Sequence, residues 1–148
     1  MKIFTVFILF SFMVMAATIT TAHAGEDQSE TSSVLITIMG FENSSGVAKV
    51  AISNSKENWE ALNYYSGYNF KIIDKQVVKT LVLPQGEYAI KVFHDENGND
   101  ELDTRMFGIP KERYGFSNNA KGSFGPPEYK EAVFVLDSRK KEITINIH

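Results

Sequence analysis

Between Asp95 and Asp103 the chain carries five carboxylates (Asp95, Glu96, Asp100, Glu101, Asp103) and two asparagines (Asn97, Asn99) within nine residues. Charges of one sign packed this densely repel, so a compact loop requires side chains turned into water or a cation held among them. The spacing favours the cation. Asp95, Asn97 and Asn99 stand at positions 1, 3 and 5 of the calcium-loop pattern, the carbonyl of Glu101 at position 7 and Asp103 at position 9. Two positions depart from it: Asp100 stands where Gly is usual at position 6, and Met106 where a bidentate Glu is usual at position 12. Aspartate tolerates the left-handed turn better than most residues, and Glu112 or a backbone carbonyl is the candidate replacement for the missing ligand. The competing reading is a solvated Asp/Asn/Gly turn between two strands. All these donors are oxygens, which suits calcium. Zinc is not expected, because its usual sulfur and nitrogen ligands are missing.

Catalysis would need a nucleophile beside an oriented base, or a metal-activated water. Beyond the N-terminal segment described below, the only histidines are His94 and the terminal His148. His94, beside Asp95 at a strand end, reads as a polar fixer of the loop. G-x-S-x-G, H-E-x-x-H and phosphate-cradling motifs are absent. Two readings follow. One is a non-enzymatic binding or structural module, whose cation-organised loop presents the segment Tyr114 to Phe124 to a protein partner or small ligand. The alternative is a hydrolase using Asp95, Asp103, Glu112 or His94. The Cys-free, His-poor composition favours the first.

The elements that must position this loop are strands. Val34 to Met39 is β-branched and apolar, with Val34, Ile36 and Ile38 on one face. Turn chemistry at Glu42 to Gly46 precedes a second strand, Val47 to Ser53, and a hairpin is expected. Asn54 with Glu57 resembles a capping pair, and Trp59, Leu62 and Tyr65 recur at helical spacing before Gly67, which predicts one short helix or ordered loop. The aromatics from Trp59 to Phe70 read as a satellite core. Gln76 to Leu83 and Tyr88 to Phe93 are strands about a Pro84-Gln85-Gly86 turn. A bridging strand is expected at Arg105 to Phe107, then a long glycine and aromatic loop from Tyr114 to Pro127 whose Tyr114, Phe116 and Phe124 are expected to pack back over the acidic loop or a sheet edge, and strands at Glu131 to Leu136 and Ile143 to Ile147 about a polar turn at Asp137 to Lys140. The sum is an all-β fold, an antiparallel β-sandwich with Greek-key connections and one short helical insert. Period-two alternation predicts burial of Ile36, Ile38, Val50, Ile52, Leu81, Tyr88, Ile90, Val92, Phe134, Ile143 and Ile145.

Lys2 is followed by an apolar run from Ile3 to Ala17 and by Ala22-His23-Ala24, a small-residue cleavage site. This predicts a signal peptide cleaved after Ala24, then a flexible leader over residues 25–33 and one domain over residues 34–148. The run is short for a bilayer span, and no Cys follows it for a lipid anchor. Export to the periplasm or exterior is expected, without membrane insertion of the mature chain. Loss of 24 of the 148 residues leaves 124, with 14 basic against 18 acidic residues and a formal charge of −4. No nucleic-acid or anionic-membrane partner is indicated by that balance. Without Cys, stability must come from packing, helped by any bound metal.

The string L-P-x-G-x-Y-A-I-x-V-x-H-D-x-N-x-N from Leu83 to Asn99, with Leu102-Asp103, F-G-I-P-K-E from Phe107 and Y-G-F-S-N-N-A from Tyr114, resembles the exported bacterial family called domain of unknown function 2141. The resemblance runs from about Val34 to His148. It implies a periplasmic or secreted β-sandwich of transthyretin-like, prealbumin-like or immunoglobulin-like type, and brings no established activity with it.

Overall fold

The computed structural model of the chain describes residues 30–137 and 140–148. The expected signal peptide, most of the leader, and Ser138 and Arg139 of the polar turn lie outside the described residues. Two sheets enclose one core. The first has the order β4-β1-β8, with β1 (Thr31–Met39) in the centre, β4 (Gln76–Pro84) antiparallel to it and β8 (Lys141–Asn146) parallel to it. In the second, β3 (Ser66–Lys71), β2 (Val47–Ser53), β5 (Gly86–Asp95) and β6 (Tyr114–Phe116) follow in that order, and β7 (Phe134–Leu136) pairs with the start of β5. Among the described residues no helix is long and apolar enough to cross a membrane.

Alternation does what it should. Val34, Ile36 and Ile38 of β1 are fully buried, while their neighbours Leu35 and Thr37 are only partly covered. All eleven residues expected in the core are buried, and Val77, Leu83, Ile72, Leu136 and Ile147 join them. Apolar area removed from water in this way, worth about 25 cal/mol per Å2, is the main force holding the sheets together.

Several boundaries and connections differ from the expectation. The strand β1 starts at Thr31, so the last three residues of the expected leader are paired with β4, and Ser32 is buried. The parallel β1–β8 pair breaks the purely antiparallel pattern, since alternation reports which face a strand buries and not which way it runs. Strands β1 and β2 form no hairpin: the seven residues from Gly40 to Gly46 carry the chain from one sheet to the other. The Pro84-Gln85-Gly86 turn is likewise a corner between sheets. One residue, Gln85, is too few to reverse the chain into a tight hairpin, which uses at least about two. Tyr88 fixes this corner by donating from its hydroxyl to the Pro84 carbonyl at 2.9 Å.

The insert after β2 is the short helix α1 (Lys56–Glu60), capped by Ser55, whose hydroxyl accepts from the Asn58 N–H at 3.1 Å, and not by Asn54. Glu131 and Ala132, expected in a strand, belong to a one-turn helix, α2 (Tyr129–Ala132), closed by a reciprocal Glu128–Glu131 capping box. Trp59 of α1 and Ala132 of α2 pack with Ala89 and Phe116 in a second, smaller core on the outer face of the second sheet.

Near the C-terminus the two sheets meet. The Tyr114 and His148 backbones exchange hydrogen bonds at 3.1 and 3.3 Å, and a side chain at Gly115 would collide with the Asn146 carbonyl and Ile147. Asn119 bonds the free edge of β8 as a capping residue: its Oδ1 accepts from the Asn146 N–H at 2.8 Å and its Nδ2 donates to the Thr144 carbonyl at 3.3 Å. Asn118 does the same for the Glu131 and Val133 carbonyls. Asn119 sits at φ +52°, where alanine is disfavoured. Asn119→Ala should therefore cost about 1–2 kcal/mol and lower the melting temperature by roughly 5 °C, measured by thermal denaturation.

Candidate functional site: the acidic loop after β5

The strand β5 is ten residues long and delivers Asp95 at its end, opposite Val47 of β2. Asp95 is fully buried, and its carboxylate is the hub of the loop. Its Oδ1 accepts from the N–H groups of Gly98 at 2.8 Å and Asn99 at 3.1 Å, and its Oδ2 from that of Asp100 at 3.1 Å. Such a nest of N–H groups curls the chain around the anion. The curl demands left-handed backbone, at φ +74° for Gly98 and +67° for Asp100, so aspartate does occupy the turn position where Gly is usual.

The asparagines continue the pattern. Asn97 Oδ1 accepts from the Asn99 N–H at 3.0 Å, and Asn99 Oδ1 from the Glu101 N–H at 2.9 Å. Their amide groups both reach Asp103: Asn97 Nδ2 donates to Oδ2 at 3.0 Å and Asn99 Nδ2 to Oδ1 at 3.2 Å. Asp95, Asn97, Asn99 and Asp103 are therefore gathered around one turn. Of the five expected ligands, Glu101 enters through its N–H while its side chain is exposed.

Glu112, the candidate replacement ligand, is engaged instead with backbone N–H groups. It follows a hairpin whose tip, Met106–Gly108, is a 3-10 turn and not the expected bridging strand, with a single bridge between Thr104 and Pro110. Its carboxylate accepts from the N–H groups of Glu96 and Asp103, each at 3.0 Å, and so clasps the two ends of the loop.

Three supporting residues carried no sequence signal, because each lies about fifty positions upstream. Lys49 on β2 pairs with Asp100 and lies 3.9 Å from Asp95 Oδ2. Ser45 accepts, through its carbonyl, a 2.8 Å hydrogen bond from His94 Nε2. Gly46, at φ +64°, lies where any Cβ would overlap the Asp95 carbonyl. His94 is fully buried, edge-on to Phe41 at 5.1 Å, with Nδ1 3.3 Å from Glu96 Oε1 but without hydrogen-bond alignment. This is the position of a fixer between the 41–46 turn and the loop. Beside it, the Arg113 guanidinium on Glu42 holds that carboxyl below its usual range.

The repulsion posed by the sequence is thus relieved mainly by N–H donors. Asp95 and Glu112 take backbone N–H groups, Asp103 takes two amides, and Lys49 supplies a positive charge to Asp100 and Asp95. Among the described residues no three His, Cys, Asp or Glu side chains group closely enough to hold a metal ion by themselves. A cation here would depend on amide and carbonyl oxygens as well as carboxylates, a donor set that fits calcium and not zinc.

The segment Tyr114 to Phe124 is not one presented loop. Tyr114–Phe116 is β6, Phe116 and Ser117 are buried, and Ser117 accepts from the Ile90 N–H at 2.9 Å. Phe124, expected to pack back on the fold, stands fully in solvent.

Two packed sheets with a hydrogen-bonded acidic loop at the end of a central strand define a β-rich domain. The chain belongs to DUF2141, the family described as "Uncharacterized protein conserved in bacteria", whose pattern it matches over residues 36–144. No curated protein and no solved structure matches it.

Proposed function

We propose that the chain is an exported, non-enzymatic binding module whose loop from Asp95 to Asp103 binds calcium. The observation that carries this reading is the meeting of Asp103 with Asn97 and Asn99 over the turn closed by Asp95. A loop already curled by internal hydrogen bonds loses little chain entropy when a cation enters it. Calcium would be held by Asp95, Asn97, Asn99, Asp103 and the Glu101 carbonyl, with Glu112 keeping the loop ends together. It would relieve the repulsion that amide donors offset only in part. Export rests on the Lys2 to Ala24 segment, and calcium at extracellular concentration suits a site of about 10⁻⁴ to 10⁻³ M affinity. The Greek-key layout of transthyretin-like or immunoglobulin-like type belongs to the same reading. It is supported by the two connections, β1 to β2 and β4 to β5, that cross between sheets.

Thermal denaturation with and without calcium tests the reading. At tenfold excess over the dissociation constant the native state should gain about 1.4 kcal/mol, roughly 5 °C in melting temperature. Asp103→Asn should remove most of that gain while leaving the calcium-free melting temperature within about 2 °C of the parent. Equal calcium responses in the two proteins would place any binding elsewhere.

A further inference from the structure

On the outer face of the second sheet the register aligns Asn69, Lys49, Phe93 and Tyr114 in one cross-strand row, and Gly67, Ala51, Lys91 and Phe116 in the next. Gly67 and Ala51 make part of that second row low. The space above it is a groove of about 480 Å3, walled by Leu62, Tyr64, Leu102 and Pro126. This volume lies within the range of small-ligand sites, about 300–1,000 Å3. The apolar walls are left in solvent: Leu62 is 61% and Tyr64 44% exposed.

Two lysines line the groove, and their ammonium groups have different fates. Lys49 is matched by Asp100 and Asp95. Lys91 sits 4.2 Å over the Trp59 ring and donates one 2.7 Å hydrogen bond to the Trp59 carbonyl. Among the described residues no carboxylate pairs with it. An ammonium has three donors; with one on the carbonyl and the indole ring covering one side, donor capacity remains for a ligand carboxylate. Burial pulls the Lys91 pKa down, because the charged form loses hydration with no counter-charge to restore it.

We propose that this groove binds a small apolar monocarboxylate, its hydrocarbon over Gly67 and Ala51 and its carboxylate on the Lys91 ammonium. The proposal rests on the reading of the chain as a binding module but not on calcium. Charge complementarity selects the class: a neutral apolar molecule leaves Lys91 unmatched, and a polar anion leaves the walls wet.

The test is a titration of octanoate, with 1-octanol as the uncharged control, followed by the amide signals of Ala51, Gly67, Lys91 and Phe93. Saturable shifts at these residues are expected, with octanoate bound about tenfold or more tightly than octanol. Lys91→Met keeps the apolar stem and should weaken octanoate by about tenfold while barely changing octanol. Ala51→Leu fills the floor, keeps the ammonium and should weaken both, so the proposal stays testable if Lys91→Met fails to fold. Equal affinities for octanoate and octanol, an octanoate affinity unchanged in folded Lys91→Met, or no saturable shift in the parent protein would overturn it. Each titration is run in calcium and in chelator, so that octanoate binding in chelator supports the groove even where the calcium site fails.

Discussion

Replacement of Asp95 by alanine is expected to destabilise the protein by about 2–4 kcal/mol and to unravel the loop it organises. The carboxylate is fully buried and serves three backbone N–H groups. Its loss leaves the Gly98 and Asp100 N–H groups without their acceptors, while Asn99 retains that of Asn97. Each orphaned donor costs about 1–3 kcal/mol, towards the low end where water reaches the loop. Lys49 would also lose part of its counter-charge. Asp95→Asn keeps one acceptor oxygen and should cost about half as much. Urea denaturation gives the energies, and amide exchange at Gly98, Asn99 and Asp100 locates the change. A cost below about 0.5 kcal/mol, the range of ordinary surface substitutions, would show that the loop is not built on Asp95.

Trp59→Ala should cost more, about 3–5 kcal/mol, which is roughly 15 °C in melting temperature. Trp59 is 3% exposed although it sits on a five-residue helix that could not persist in isolation. Its ring lies 5.8 Å from Phe116 and 6.3 Å from Tyr129, its Nε1 donates to the Pro127 carbonyl at 3.0 Å, and Lys91 covers one face. One side chain therefore joins α1, α2, β5 and β6. Trp59→Phe retains most of the area but drops the hydrogen bond, and should cost about 1 kcal/mol beyond the loss of ring size. If Trp59→Ala melted within a few degrees of the parent, the smaller core would not be a cooperative part of the fold.

The sequence was most legible where a single period decides the outcome. Ile36 and Ile38, Val50 and Ile52, Ile90 and Val92, and Ile143 and Ile145 declared their buried faces through alternation, and all are buried. The hydrogen bonds of the acidic loop are likewise local, since the nest of N–H groups around Asp95 and the amide contacts of Asn97 and Asn99 with Asp103 all fall within nine residues, but the sequence offered a cation or water for the carboxylates and not these N–H partners. What depended on distant partners was not legible. The parallel placing of β8 beside β1 and the crossing of β1 to β2 between sheets depend on how two sheets stack, which no local pattern encodes. Lys49 and Gly46 support the loop from a strand and turn about fifty residues away. The start of the strand expected from Glu131 gave way to a helical turn because reciprocal Glu128 and Glu131 hydrogen bonds outweigh a weak β pattern at Glu131 and Ala132. Phe124 was expected to pack because a long loop needs anchors. The anchors are instead Phe116, Ser117, Asn118 and Asn119.

Calorimetric titration of calcium into the folded protein, with the amide signals of Gly98, Asn99 and Asp100 followed in parallel, tests the central claim most directly. One site with a dissociation constant of about 10⁻⁴ to 10⁻³ M, and saturable shifts confined to the loop, is the predicted result. No heat and no shift of those amides in millimolar calcium would contradict it, and would make the loop an acidic turn held together by its own N–H groups and Lys49.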